Sequence, residues 1–171
     1  MFTISYGTIR EAGQIADLSR KTFFETFSHD NSPEDMNKFM NEQFTREMLV
    51  QEVGAPGNIF LLARDGEEII GYARLRENNI PPALRAGRAI EIARLYASGL
   101  HIGKGVGSAL MKKCIQLASE RNYPILWLGV WEHNHRAIAF YIRWGFKKFS
   151  EQDFILGNDI QKDWLMKRSV S

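Results

Sequence analysis

Apolar and polar positions change period several times along the chain, and each change marks a new element. Near the amino end, "FTISYGTI" reads as a short strand. From about Arg10 to Phe27, the residues Ile15, Leu18, Phe23 and Phe27 recur at helical spacing. "SHDNSPEDM" reads as a loop. Within it, Ser32-Pro33-Glu34-Asp35 opens a second helix, with serine at the N-cap, proline at the first helical position and acids in the first turn. That helix is expected to reach about Val53. "NIFLLAR" and "EEIIGYARLR" flank Asp65-Gly66, a strong hairpin signal. The paired prolines of "ENNIPPALRAG" mark a loop, and "AIEIARLYA" is the next strand.

Between Gly105 and Asn122 the pattern is helical again. Val106, Leu110, Cys114 and Leu117 form an apolar stripe opposite Lys112, Lys113, Gln116, Ser119 and Glu120. "PILWLGVW" is nearly all apolar, as in a strand buried on both faces. "NHRAIAFYIRW" reads as a helix stopped by Gly145. "FKKFS", "FILG" and "DWLMKR" offer terminal strands. The order β-α-α-β-β-β-α-β-α-β-β predicts an α/β protein with a mixed sheet, in one domain spanning residues 1–171.

Composition narrows the classes. A hydrophobic content of 44% and a charged content of 25% are those of an ordinary globular protein. No apolar run reaches the length of a membrane span, and the amino end lacks a basic segment followed by a long apolar core. The lone Cys114 forms no internal disulfide, which fits a reducing, cytoplasmic setting. A net charge of +2 gives no support for nucleic-acid binding. The charge is unevenly spread. Residues 1–80 hold 8 Lys and Arg against 13 Asp and Glu, whereas residues 81–171 hold 14 against 7. One half is thus suited to a cation and the other to an anion.

The stretch "HIGKGVGSAL" places Gly103, Gly105 and Gly107 between a strand and a helix. The spacing is neither a P-loop nor a dinucleotide fingerprint. Strand, glycine loop and helix N-terminus together form a generic anion site, because the first helix amides are unpaired and carry partial positive charge. Lys104 adds a full charge. On spacing alone, structural glycines explain the loop as well.

Taken together, "EIARLYASGLHIGKGVGSALM" and "LGVWEHNHRAIAFYIRWGF" resemble the GNAT superfamily of N-acetyltransferases, whose acyl-CoA loop reads [Q/R]-x-x-G-x-[G/A]. Gly105 and Gly107 match the two small positions, and Ile102 stands where the family has Gln or Arg. "NSPEDM", "WLGVWEHNHRAIAFY" and "FILGNDIQKDWLM" further resemble the PaiA-type spermine/spermidine N-acetyltransferases. The resemblance implies a GNAT fold, a mixed and mostly antiparallel sheet that splays between 89–97 and 125–131, flanked by helices. It implies acetyl-CoA as co-substrate and a small-molecule amine as acceptor, with no metal, nucleic acid or membrane partner; a homodimer is left open. The cofactor residues it implies are the backbone of Leu95, Tyr96 and Ala97, the loop amides of Gly103, Lys104, Gly105, Val106, Gly107 and Ser108, and Asn134 and Tyr141 on the following helix.

Acetyl transfer to an amine calls for a neutral amine, a stabilised oxyanion and a proton for the leaving thiol. By resemblance, Tyr141 is the proton donor and Glu91, before "LY", is the base. Read from the residues alone, Tyr141 is more simply a core aromatic and Asn134 an N-cap, and Glu91 is read nearly as well as a charge on the solvent face of a half-exposed strand. Strand alternation sends Glu91, Ala93 and Leu95 to one face and Ile92, Arg94 and Tyr96 to the other. His29, His101, His133 and His135 show no metal-ligand spacing, and Cys114 lies on the core stripe. Residues 11–53 carry nine acids against four bases, and the acceptor expected from this is a polyamine held through Glu25 and Asp30. The alternatives are N-acetylation of another amine, such as an amino acid, peptide N-terminus or aminoglycoside, and a CoA-binding regulatory protein with little turnover.

Overall fold

The computed structural model describes residues 1–85 and 87–171. Seven strands form one sheet: β1 (Thr3–Tyr6), β2 (Asn58–Asp65), β3 (Glu68–Arg76), β4 (Ala89–Ala97), β5 (Ile125–Trp131), β6 (Lys147–Leu156) and β7 (Asp159–Ser169). The strand order is β1-β2-β3-β4-β5-β7-β6. Five helices flank it: α1 (Ala12–Phe27), α2 (Pro33–Glu42), α3 (Arg46–Glu52), α4 (Val106–Glu120) and α5 (His135–Arg143). This is the mixed, mostly antiparallel α/β architecture expected. β4 and β5 are the parallel pair, and α4 provides the crossover between them that parallel neighbours require.

Three boundaries differ from the sequence reading. The helix expected from Ser32 to Val53 is two helices, because Thr45 caps a fresh start by accepting a hydrogen bond from Met48 N at 3.2 Å. The first helix begins at Ala12, after a 3-10 turn at Ile9–Glu11 in which Thr8 and Glu11 form a capping box. The three terminal segments are two long strands turning at Gly157, whose φ of 64° suits glycine.

α4 buries Val106, Leu110, Met111, Cys114, Leu117 and Ala118 against the sheet. The opposite face carries α1, α2 and α3 around an aromatic cluster that includes Phe23, Phe27, Phe39 and Phe44. Strand alternation does not survive along β4. Leu75 faces Ile92 and Arg74 faces Arg94, so the register skips Ala93. As a result Ile92, Leu95 and Ala97 all pack in the α4 cluster, while Tyr96 packs among α1–α3. The bulge corrects the expected faces: Leu95 lies with Ile92, not opposite it.

Candidate active site

β4 and β5 are hydrogen-bonded over Ala89–Ile92 and Ile125–Leu128, and beyond that point they part. A cleft of about 780 Å³ fills the gap. Its walls are the free ends of both strands, the loop before α4, and helices α1, α2 and α5. A strand end whose ladder stops exposes backbone N–H and C=O groups to whatever enters.

Most of the residues implied for the cofactor line this cleft: Leu95, Tyr96 and Ala97 on β4, Gly103, Gly105, Gly107 and Ser108, and Asn134 and Tyr141. Lys104 is exposed and Val106 is buried under the loop, and neither lines the cleft. Gly103 and Gly105 have φ of 81° and 86°, where a side chain would be strained. Gly105 is the N-cap of α4 and supplies no side chain to cap it, so the first-turn amides of a 15-residue helix are left for an anion. A Cβ on Gly107 would meet the Phe140 ring at 3.6 Å and Leu95 at 3.9 Å, so the glycine keeps the cleft floor low. The loop, the uncapped helix and the open strand ends suit the pyrophosphate and amide-bearing arm of an acyl-CoA.

Two residues that sequence reasoning missed add positive charge there. Arg136 and Arg143 on α5 line the cleft and make no ion pair among the described residues. Their signal was the basic carboxyl-terminal half, without indication of which cations face inward. Ile102, the apolar side chain at the usual Gln/Arg position, also lines the cleft. Asn134 caps α5, its side chain accepting from Ala137 N at 3.3 Å, and still lines the cleft. Tyr141 is buried, and its hydroxyl forms no hydrogen bond among the described residues. Burial, with the Cys114 thiol nearby, raises its pKa well above the ordinary tyrosine value, so it stays protonated. Burial likewise pushes Cys114 up to about 12, which makes it a neutral core residue.

Glu91 is not brought to the cleft. Its carboxylate accepts from Arg76 Nε at 2.6 Å and Nη2 at 3.0 Å, and from Asn79 at 3.1 Å. Held by three donors from β3 and the loop after it, the carboxylate serves as a cross-strand tie and does not line the cleft where a base would act. Arg94 lines the cleft but is committed to Glu52 of α3, at 2.7 and 2.9 Å. Glu25 lines a smaller adjoining cavity of about 430 Å³, and Asp30 lines neither. Among the described residues no group of three His, Cys, Asp or Glu side chains is placed to hold a metal ion, and no helix is long and apolar enough to cross a membrane.

The carboxylate that does line the cleft is Asp163 on β7, opposite Trp131 of β5. It has no hydrogen-bond or ion-pair partner among the described residues, and burial raises it from 3.8 to about 6. Its sequence signal was weak: one acid in a charged terminal strand. A group whose pKa is raised by folding stabilises the native state fully below its unfolded value and loses that contribution as pH rises through the folded value. Asp163→Asn should therefore raise the melting temperature at pH 8, by the equivalent of roughly 2–3 kcal/mol. The gain should shrink between about pH 6 and pH 3.8 and vanish below. Melting curves across pH measure it; a destabilised variant at pH 8 would contradict an unpaired carboxylate.

The comparisons with known proteins agree with this geometry. The Acetyltransferase (GNAT) family pattern matches residues 13–146. An uncharacterized N-acetyltransferase of Lactobacillus delbrueckii subsp. lactis is 37% identical over 153 residues, covering 90% of this chain and 88% of that one. An uncharacterized N-acetyltransferase of Mycobacterium tuberculosis is 28% identical over 160 residues, covering 94% and 98%. The fold is shared with the PaiA N-acetyltransferase from Thermoplasma acidophilum, crystallised with coenzyme A, at a TM-score of 0.77 and 20% identity over 99% of each chain. It is shared too with a putative acetyltransferase, yncA, from Salmonella typhimurium bearing acetyl-CoA, at a TM-score of 0.76 and 16% identity over 100% and 95%. At such identities the PaiA likeness is one of fold and does not carry the substrate. With its cleft, its glycine loop and these relatives, the chain belongs to the GNAT family of acetyltransferases.

Proposed function

We propose that this GNAT acetyltransferase transfers the acetyl group of acetyl-CoA to a primary amine by direct attack with both substrates bound. The observation that carries this reading is the parting of β4 from β5 beside an uncapped helix N-terminus, with the unbonded Tyr141 hydroxyl in the same cleft. Acetyl-CoA supplies an acyl group on a sulfur leaving group. The loop amides between Gly103 and Ser108, with Arg136 and Arg143, hold its phosphates, and the exposed backbone of Leu95 to Ala97 meets its amide-bearing arm. As the nitrogen–carbon bond forms and the carbon–sulfur bond breaks, Tyr141 gives its proton to the sulfur, and the proton that the acylated nitrogen then sheds restores the Tyr141 hydroxyl.

The amine must shed a proton first. A primary amine titrates about three units above neutrality, so deprotonation costs roughly 4 kcal/mol. Asp163 replaces Glu91 as the carboxylate free to receive that proton, and it is ionised above about pH 6. A polyamine acceptor would need several spaced carboxylates. Glu25 in the adjoining cavity is the single one that supports that reading beyond Asp163, so the cleft favours a primary amine of lower charge.

Thiol release from acetyl-CoA across a panel of amines tests the activity. In that assay Tyr141→Phe should lower kcat on the order of 100-fold with a nearly unchanged melting temperature; a normal kcat would end the proton-donor role. Glu91→Gln should do the reverse, losing about 1–3 kcal/mol of stability while kcat stays near normal. For the loop, Gly107→Val should weaken acetyl-CoA binding at least tenfold in a calorimetric titration and leave the fold intact. Gly105→Ala should in addition destabilise the protein by about 1–2 kcal/mol, because alanine is strained at that left-handed position.

A further inference from the structure

We propose that the acceptor is a singly charged amine on a flat, aromatic-sized apolar body, its ammonium held by Asp163 and its body by the rings that line the cleft; this rests on the acetyltransferase reading above. Six aromatic side chains line the cleft on the α1–α2 side and at the ends of β5 and β6: Phe23, Phe27, Phe39, Phe44, Trp131 and Phe154. They are mutually in contact. Phe23 lies 4.6 Å from both Phe27 and Phe39, Phe39 lies 5.7 Å from Phe154, and Phe27 lies 5.9 Å from Trp131. Phe23, Phe27, Phe39 and Phe44 form the buried back of this wall, and Trp131 and Phe154 are half-buried at its front. Against the two half-buried rings at the front, Trp131 and Phe154, an arene stacks edge or face, whereas a narrow polymethylene chain covers less of them.

Charge in the lining points the same way. The charged side chains there are Arg94, Arg136, Arg143 and Asp163, and Arg94 is paired with Glu52, which Arg74 shares. One unpaired carboxylate matches one ammonium. A tri- or tetracation would find no second carboxylate among the described residues that line the cleft. The rings add to the attraction, since a cation beside an aromatic face is favoured over one beside an aliphatic wall.

Gly129 makes room beside the anchor. A Cβ there would lie 3.5 Å from Leu165, 3.6 Å from the Gln152 amide and 3.7 Å from Asp163 Oδ2. The missing side chain thus leaves the Asp163 carboxylate accessible from the β5 side of the cleft. The acceptor's nitrogen is thereby placed next to β5, along the gap that the acetyl donor enters from the α4 end.

The full chain is to be assayed with 2-phenylethylamine, n-butylamine and spermidine at saturating acetyl-CoA. The expected kcat/KM for 2-phenylethylamine is at least tenfold above the other two. Trp131→Ala and Phe154→Ala should each erase most of that preference while leaving the KM for acetyl-CoA within about twofold. Two separate rings are tested so that one variant that fails to fold, seen by its melting curve, leaves the other to decide. Calorimetry on the CoA-bound protein gives a readout apart from turnover. Asp163→Asn should weaken 2-phenylethylamine at least tenfold and leave the neutral 2-phenylethanol unchanged, a split that a merely structural aspartate would not produce. Equal or better turnover of spermidine or n-butylamine would overturn the proposal and leave the acetyltransferase reading standing. Absence of thiol release with every amine would overturn that reading instead, and the calorimetric split would then decide the ligand class by itself.

Discussion

The site depends on a ladder that stops. β4 and β5 share hydrogen bonds only as far as Ile92 and Leu128, and every cleft feature follows from the strands diverging there. Continued pairing would satisfy the backbone of residues 93–97 internally and close the slot. Parting is sustained from both sides. The bulge at Ala93 turns Leu95 and Ala97 toward α4, while Arg94 is drawn the other way to Glu52 on α3. β5, for its part, remains fully paired with β7 from Ile125 to Trp131, so it follows β7 and leaves β4.

Ionic contacts explain why the acidic amino-terminal half does not yield an acidic cavity. Glu11 pairs with Arg64, Asp17 with Arg46, Glu52 with Arg74 and Arg94, and Glu77 with Arg121 and the Tyr123 hydroxyl. Asp35 accepts the backbone N–H of Asn158 at 2.9 Å and so ties α2 to the β6–β7 turn. Five acids of this half thus tie separate segments of the fold together. Asp163, from the basic half, is the carboxylate left unpaired in the cleft. A partly buried, unpaired charge is unfavourable for folding and is retained most naturally where a ligand provides its partner.

A division of labour across the sheet follows. On the α4 side, backbone amides and α5 guanidinium groups present positive charge to the cleft. On the α1–α3 side, stacked rings present an apolar wall. Tyr141 lines the same slot from within the α4 cluster, kept protonated by its burial. Positive and apolar linings thus occupy two sides of one slot.

Local signals were sufficient for most elements. Helical periodicity, the Ser32-Pro33 cap, the Asp65-Gly66 turn and the glycine loop act over a few residues, so the α/β order and the glycine loop before α4 were legible in the sequence. Tyr141 and Asn134 were legible too, because seven residues on a helix return to one face. What the chain alone could not reveal depends on partners far apart in sequence. Glu91 looked like a base until Arg76 and Asn79 were seen to hold it, and strand alternation misplaced Leu95 because a bulge depends on the neighbouring strand's register. Asp163 became visible only when Trp131, Gln152 and Gly129 were brought around it from other strands. Whether a charge is tied or free is a property of the tertiary contact, and that contact decided which carboxylate faces the cleft.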